Sequence, residues 1–116
     1  MTMNKTTASE IRLTVELDEN KIPQRLAWQA TDAGEGEKDC KAFMLSIWDA
    51  ADKSSLRIDL WTKEMRVDEM TRHFIQTLIS SAQTFERATQ TTGVATEVKK
   101  FCDSLTVKIG EQLEKK

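Results

Sequence analysis

Apolar residues recur along this chain with a period of two in its first half and with a period of three to four in its second. Ile11, Leu13, Val15 and Leu17 alternate with Glu10, Arg12, Thr14, Glu16 and Asp18, the signature of a strand with one buried and one wet face. The spacing predicts a strand over about residues 9–18. The run Asp18 to Pro23 supplies turn residues and a proline that cannot donate to a ladder, so the chain reverses there. Leu26, Trp28 and Ala30 then mark a second strand over about 24–31. Pairing Val15 with Leu26 and Leu13 with Trp28 puts both apolar sets on one face, which assigns Trp28 to the core.

The segment Thr31 to Lys41 is rich in charge and glycine and reads as an exposed loop; its bare Gly34-x-Gly36 lacks the third glycine of a phosphate-binding turn. The next stretch fits two periods. Cys40, Phe43, Met44, Ile47, Trp48 and Ala51 share one helical face, but a helix leaves Leu45 on the polar side. Leu56, Ile58 and Leu60 alternate clearly after the polar run Asp49 to Ser55, so a hairpin is the economical solution, with strands over about 42–49 and 55–62. Pairing Ile47 with Ile58 and Leu45 with Leu60 places Met44 opposite Trp61 and Trp48 opposite Arg57, on the face away from the aliphatic residues. Two tryptophans and a methionine there form an apolar patch near the few hundred Å² that a typical monomer leaves exposed, part of which is expected to be covered. Met44, Trp48, Arg57 and Trp61 are the candidate interaction site, covered by a protein partner, by a second copy, or by the chain's own loops.

After Thr62 the period becomes helical. Val67, Met70, Phe74, Leu78, Ala82, Phe85 and Ala88, widened by Ile75 and Ile79, predict a helix over about 67–91. After the break at Gly93, Val94, Val98, Phe101, Cys102, Leu105, Ile109 and Leu113 predict a second over about 94–113. The expected architecture is an α+β domain over residues 9–116: a four-stranded antiparallel meander sheet with a C-terminal two-helix hairpin packed on its aliphatic face, preceded by a frayed tail over residues 1–8.

Composition narrows the function. At 116 residues, 39% hydrophobic and 31% charged, the chain suits one domain. Its net charge of -2, with neither sign gathered into a block, argues against a nucleic-acid partner. No apolar run has the length of a signal peptide or a membrane span, which points to a soluble, cytoplasmic protein. Cys40 and Cys102 lie far apart without a CxxC pair and read as free thiols; His73 is the single histidine, so no metal site is expected. His73 also lacks a serine or cysteine partner, and the carboxylates around the hairpin match no calcium loop. No cofactor and no catalytic group is therefore predicted.

The segments VELDEN at 15–20, LRIDLWTKEM at 56–65 and VDEM at 67–70 resemble the gliding motility-associated protein GldC family, and the likeness extends over nearly all of residues 9–113. The resemblance implies a small soluble accessory protein associated with the bacterial motility apparatus, not an enzyme, with no catalytic residues to carry over. Two functions are expected from different classes. The first is an interaction protein that binds a partner of the motility apparatus through the tryptophan face, with a homodimer through that face as a variant. The second is a domain that takes a small apolar ligand or lipid in a pocket between helices and sheet.

Overall fold

A computed structural model of the chain describes residues 6–34 and 36–115. Residues 1–5 of the expected tail lie outside that range, and residues 6–8 carry no regular secondary structure. The chain divides into two compact units, Met1–Met65 and Arg66–Lys116.

The first unit holds every strand: β1 (Ile11–Leu17), β2 (Pro23–Ala30), β3 (Lys38–Cys40), β4 (Ala42–Asp49) and β5 (Ser54–Trp61). β1, β2 and β3 form one antiparallel sheet in that order, with Leu13 opposite Trp28 and Val15 opposite Leu26, the register that the alternation predicts. The Asp18 to Ile22 turn is closed by the Asp18 carboxylate. It accepts from the Asn20 N–H at 2.8 Å and the Ile22 N–H at 3.0 Å, while Lys21 takes the left-handed conformation the reversal needs. Pro23 sits at the first position of β2, where a missing N–H does least harm.

β2 is the best-buried strand. Leu26 is 1% exposed and Ala27 is fully buried; being consecutive, they show that β2 is covered on both faces. Trp28 is half-buried, not enclosed, and Lys38 directly across the ladder sets its ammonium 4.8 Å from the ring centroid. On the other face Arg25 ties the three strands together, reaching Glu16 at 2.6 Å, Glu37 at 2.7 Å and Asp39 at 2.8 Å. Its guanidinium, with help from the Thr14 hydroxyl, holds the Glu37 carboxyl below the usual carboxylate range.

The single four-stranded meander is corrected here. The strands form a three-stranded sheet and a separate two-stranded sheet of β4 and β5. Lys38–Cys40 lies inside the segment read as a loop; at three residues it is too short to show a period, and it pairs with Leu26 to Trp28. At Lys41 the chain bends, and the apolar series changes phase there. Cys40 pairs with Leu26 at even positions, whereas Phe43, Leu45 and Ile47 fall at odd ones. A strand that keeps strict alternation cannot serve both series, so the bend divides it.

The second unit is a helical hairpin of α1 (Val67–Thr89) and α2 (Val94–Glu114). The α1 N-terminus is held by the Glu69 carboxylate, which accepts from the Arg66 N–H at 3.0 Å, and Asp68 and Glu69 complement the positive end of the helix dipole. Gln90 and Gly93, both left-handed, make the turn. Glu86 near the end of α1 then accepts from the Ala95 N–H at 2.5 Å, so one helix caps the other. The seam forms at small side chains: Ala82, Ala95 and Cys102 are buried. The broad stripes expected of these helices are consequently only partly enclosed, with Phe74 38%, Phe85 50% and Phe101 60% exposed. Close approach at small residues leaves the bulky ones off the seam.

Two stability tests follow from these turns. Glu86→Ala removes the cap on α2 and should lower unfolding stability by about 1 kcal/mol, measured as a lower urea midpoint at unchanged slope. Asp18 is held below its ordinary value of 3.8, first by the Ile22 N–H. A lowered folded pKa means its contribution is complete above that value and is lost as pH falls through the folded pKa. Asp18→Asn should therefore lower stability most at neutral pH and least at pH below the folded pKa, which flattens the acid limb of the stability–pH curve.

Candidate functional site

The β4–β5 hairpin carries the sequence-predicted interaction residues. Its loop is Ala50 to Lys53, closed by the Lys53 N–H on the Asp49 carbonyl at 2.8 Å and the Asp52 N–H on the Asp49 carboxylate at 3.1 Å, with Lys53 left-handed. That closure fixes the ladder: Phe43 faces Leu60, Leu45 faces Ile58 and Ile47 faces Leu56. These three apolar rungs occupy one face. Ala42 with Trp61, Met44 with Asp59, Ser46 with Arg57 and Trp48 with Ser55 occupy the other.

The expected pairings of Ile47 with Ile58, Leu45 with Leu60, Met44 with Trp61 and Trp48 with Arg57 are thus displaced by two residues. A slip of two keeps every side chain on its face, so hydrophobic patterning cannot detect it. The turn decides it. The Asp49 carboxylate bonding an N–H three residues on is the local signal that would have placed the loop at Ala50 to Lys53.

Membership of the face survives, and its layout changes. Trp48 lies at one end of the hairpin and Trp61 at the other, six strand positions apart, which is roughly 20 Å at strand rise. Trp48 is 64% exposed and Trp61 58%. Met44 is half-buried, and between the two rings Arg57 is already engaged by its own strand: its guanidinium donates to both oxygens of Asp59, at 2.7 and 3.2 Å. The pairing holds the Asp59 carboxyl below its ordinary range and raises the Arg57 guanidinium further. The site is two separated aromatic anchors flanking an ion pair, not one continuous aromatic patch.

The other candidate groups stay apart from it. Cys40 is half-buried and Cys102 buried, both as free thiols; burial pushes the Cys40 thiol up, away from a reactive thiolate. His73 lies in α1 with its Nε2 buried and without a hydrogen-bond partner. Among the described residues no three His, Cys, Asp or Glu side chains gather into a metal-ligating group. A groove of about 430 Å³ in the helical hairpin is lined by Asp68, Glu69, Arg72, Thr71, Ile75 and Thr106.

The family model for gliding motility-associated protein GldC-like sequences matches residues 23–111, from the start of β2 to within the last turn of α2. The chain belongs to the GldC-like family. Membership associates it with gliding motility. No curated protein and no solved structure matches it significantly. The match spans both strands of the hairpin, so the tryptophan-bearing face lies within the GldC-like region. Among the described residues of this GldC-like chain no helix is long and apolar enough to cross a membrane.

The exposure of the two anchors is measurable. A variant retaining only Trp48 or only Trp61 should be quenched by acrylamide more steeply than one retaining only Trp28, whose ring is half-buried under the Lys38 ammonium. Equal quenching of all three would mean that the hairpin face is covered.

Proposed function

We propose that this GldC-like chain is a non-enzymatic accessory protein of the gliding motility machinery, acting in the cytoplasm, and that it binds a protein partner through Met44, Trp48, Arg57 and Trp61. The observation that carries the reading is the exposure of Trp48 and Trp61, 64% and 58%, on one face of a hairpin. Tryptophan and arginine are the residues in which interfaces concentrate binding energy. An exposed tryptophan within a strand has large apolar area to lose on association and little side-chain entropy to give up.

The layout describes the partner. Anchors roughly 20 Å apart suit an elongated element, either an extended segment of about six residues or a helix of about 13, laid along the hairpin. Over the middle of that path runs the Arg57–Asp59 pair. A partner with polar or paired charges at its centre and apolar groups at its ends is complementary to it.

Replacing both Trp48 and Trp61 by serine should leave the circular dichroism and the unfolding midpoint nearly unchanged. Affinity for the motility partner captured by the wild-type chain should fall by more than roughly thirty-fold, the loss of at least one hot-spot contact. An unchanged partner profile from the folded double variant refutes the assignment.

A further inference from the structure

β4 and β5 make a sheet of only two strands, and among the described residues no third strand hydrogen-bonds to β5. A two-stranded hairpin is marginal alone in water. Every residue of β5 except Leu60 is exposed, including Leu56 at 46% and Ile58 at 43%. The strand contains no proline, which is one of the ways an edge is protected from pairing.

We propose that β5 pairs antiparallel with β5 of a second copy of the chain, about a two-fold axis through Ile58, joining two hairpins into one four-stranded sheet. The occupant is identified by the strand's own charge pattern. Leu56-Arg57-Ile58-Asp59-Leu60 is self-complementary when reversed: each Arg57 faces Asp59 of the second copy, Leu56 faces Leu60, and Ile58 faces itself. A two-fold axis normal to the sheet keeps the faces in common, so the register can move only in steps that place another like residue on the axis. Moving it one way sets Arg57 against Arg57, and the other way Asp59 against Asp59, and like charges directly opposite are destabilising. Only the register through Ile58 sets each Arg57 opposite Asp59. β4, whose single charged residue is Asp49 at its end, has no such pattern.

The pairing joins the apolar rungs of one hairpin to those of the other, and it turns the Arg57–Asp59 pair on each strand into a cluster of four alternating charges. It uses the edge of β5, whereas Trp48 and Trp61 stand on a face. A wild-type chain that stays monomeric yet captures the partner therefore overturns this inference alone, and a dimeric chain whose Trp48→Ser, Trp61→Ser variant captures the partner unchanged overturns only the proposed function.

Sedimentation velocity of the full chain between about 1 and 100 µM, where a micromolar association becomes visible, should show a dimer. Asp59→Arg alone and Arg57→Asp alone each put like charges opposite one another and should give monomers. The double swap Arg57→Asp with Asp59→Arg restores both facing pairs and should restore the dimer. A wild-type monomer throughout the range, single variants that stay dimeric, or a folded double swap that stays monomeric overturns the proposal. Should the single variants fail to fold, Ile58→Cys provides the reading: a short bis-maleimide reagent should link two copies through residue 58, while Ala50→Cys in the loop gives no product above the wild-type background. Absence of the Ile58→Cys product also overturns it.

Discussion

The cross-strand ladder of Phe43 with Leu60, Leu45 with Ile58 and Ile47 with Leu56 is the interaction on which the informative half of this protein depends. It is short of partners. Two strands supply few backbone bonds, and apolar residues occur on both their faces, so the hairpin's stability must come from what lies against it. Both the tryptophan face and the open edge of β5 are consequences of that shortage. A hairpin with one polar face and a protected edge would offer a partner little to bind.

The first sheet shows the contrasting solution. There Arg25 joins β1, β2 and β3 through three carboxylates, and Leu26 and Ala27 bury β2 on both faces. Charge is used internally and is consumed by neighbours in the same sheet. On β5 the one cation and one anion are two residues apart on a strand that pairs only with β4 among the described residues, and their pairing satisfies them without engaging another strand. The same residue types staple one sheet and leave the other open, because the partners of Arg25 lie on adjacent strands and the partner of Arg57 lies on its own.

The helical hairpin follows a related logic. Its seam is built at Ala82, Ala95 and Cys102, which allow close approach, and Glu86 stitches the turn by capping α2. Phe74, Phe85 and Phe101 stay partly exposed. A stripe read as continuous by spacing is therefore divided in space, since a two-helix seam is narrower than the arc that apolar residues occupy on either helix.

The four longer strands and two helices in their order, the residues that share a face within each hairpin, the β1–β2 register and the GldC resemblance were legible in the sequence. They depend on local periodicity and on turn residues such as Asp18 and Pro23, which act through neighbours a few positions away. The β4–β5 register, the short β3 and the division of the sheet at Lys41 were decided only in three dimensions. A slip of two residues preserves every face, a three-residue strand has no period, and a bend at one lysine changes the phase of an apolar series without altering its composition. That Met44, Trp48, Arg57 and Trp61 share one face of the hairpin was accordingly readable from alternation alone. Its arrangement, two anchors held apart by an ion pair, was not, because distance along a ladder is set by the turn that closes it.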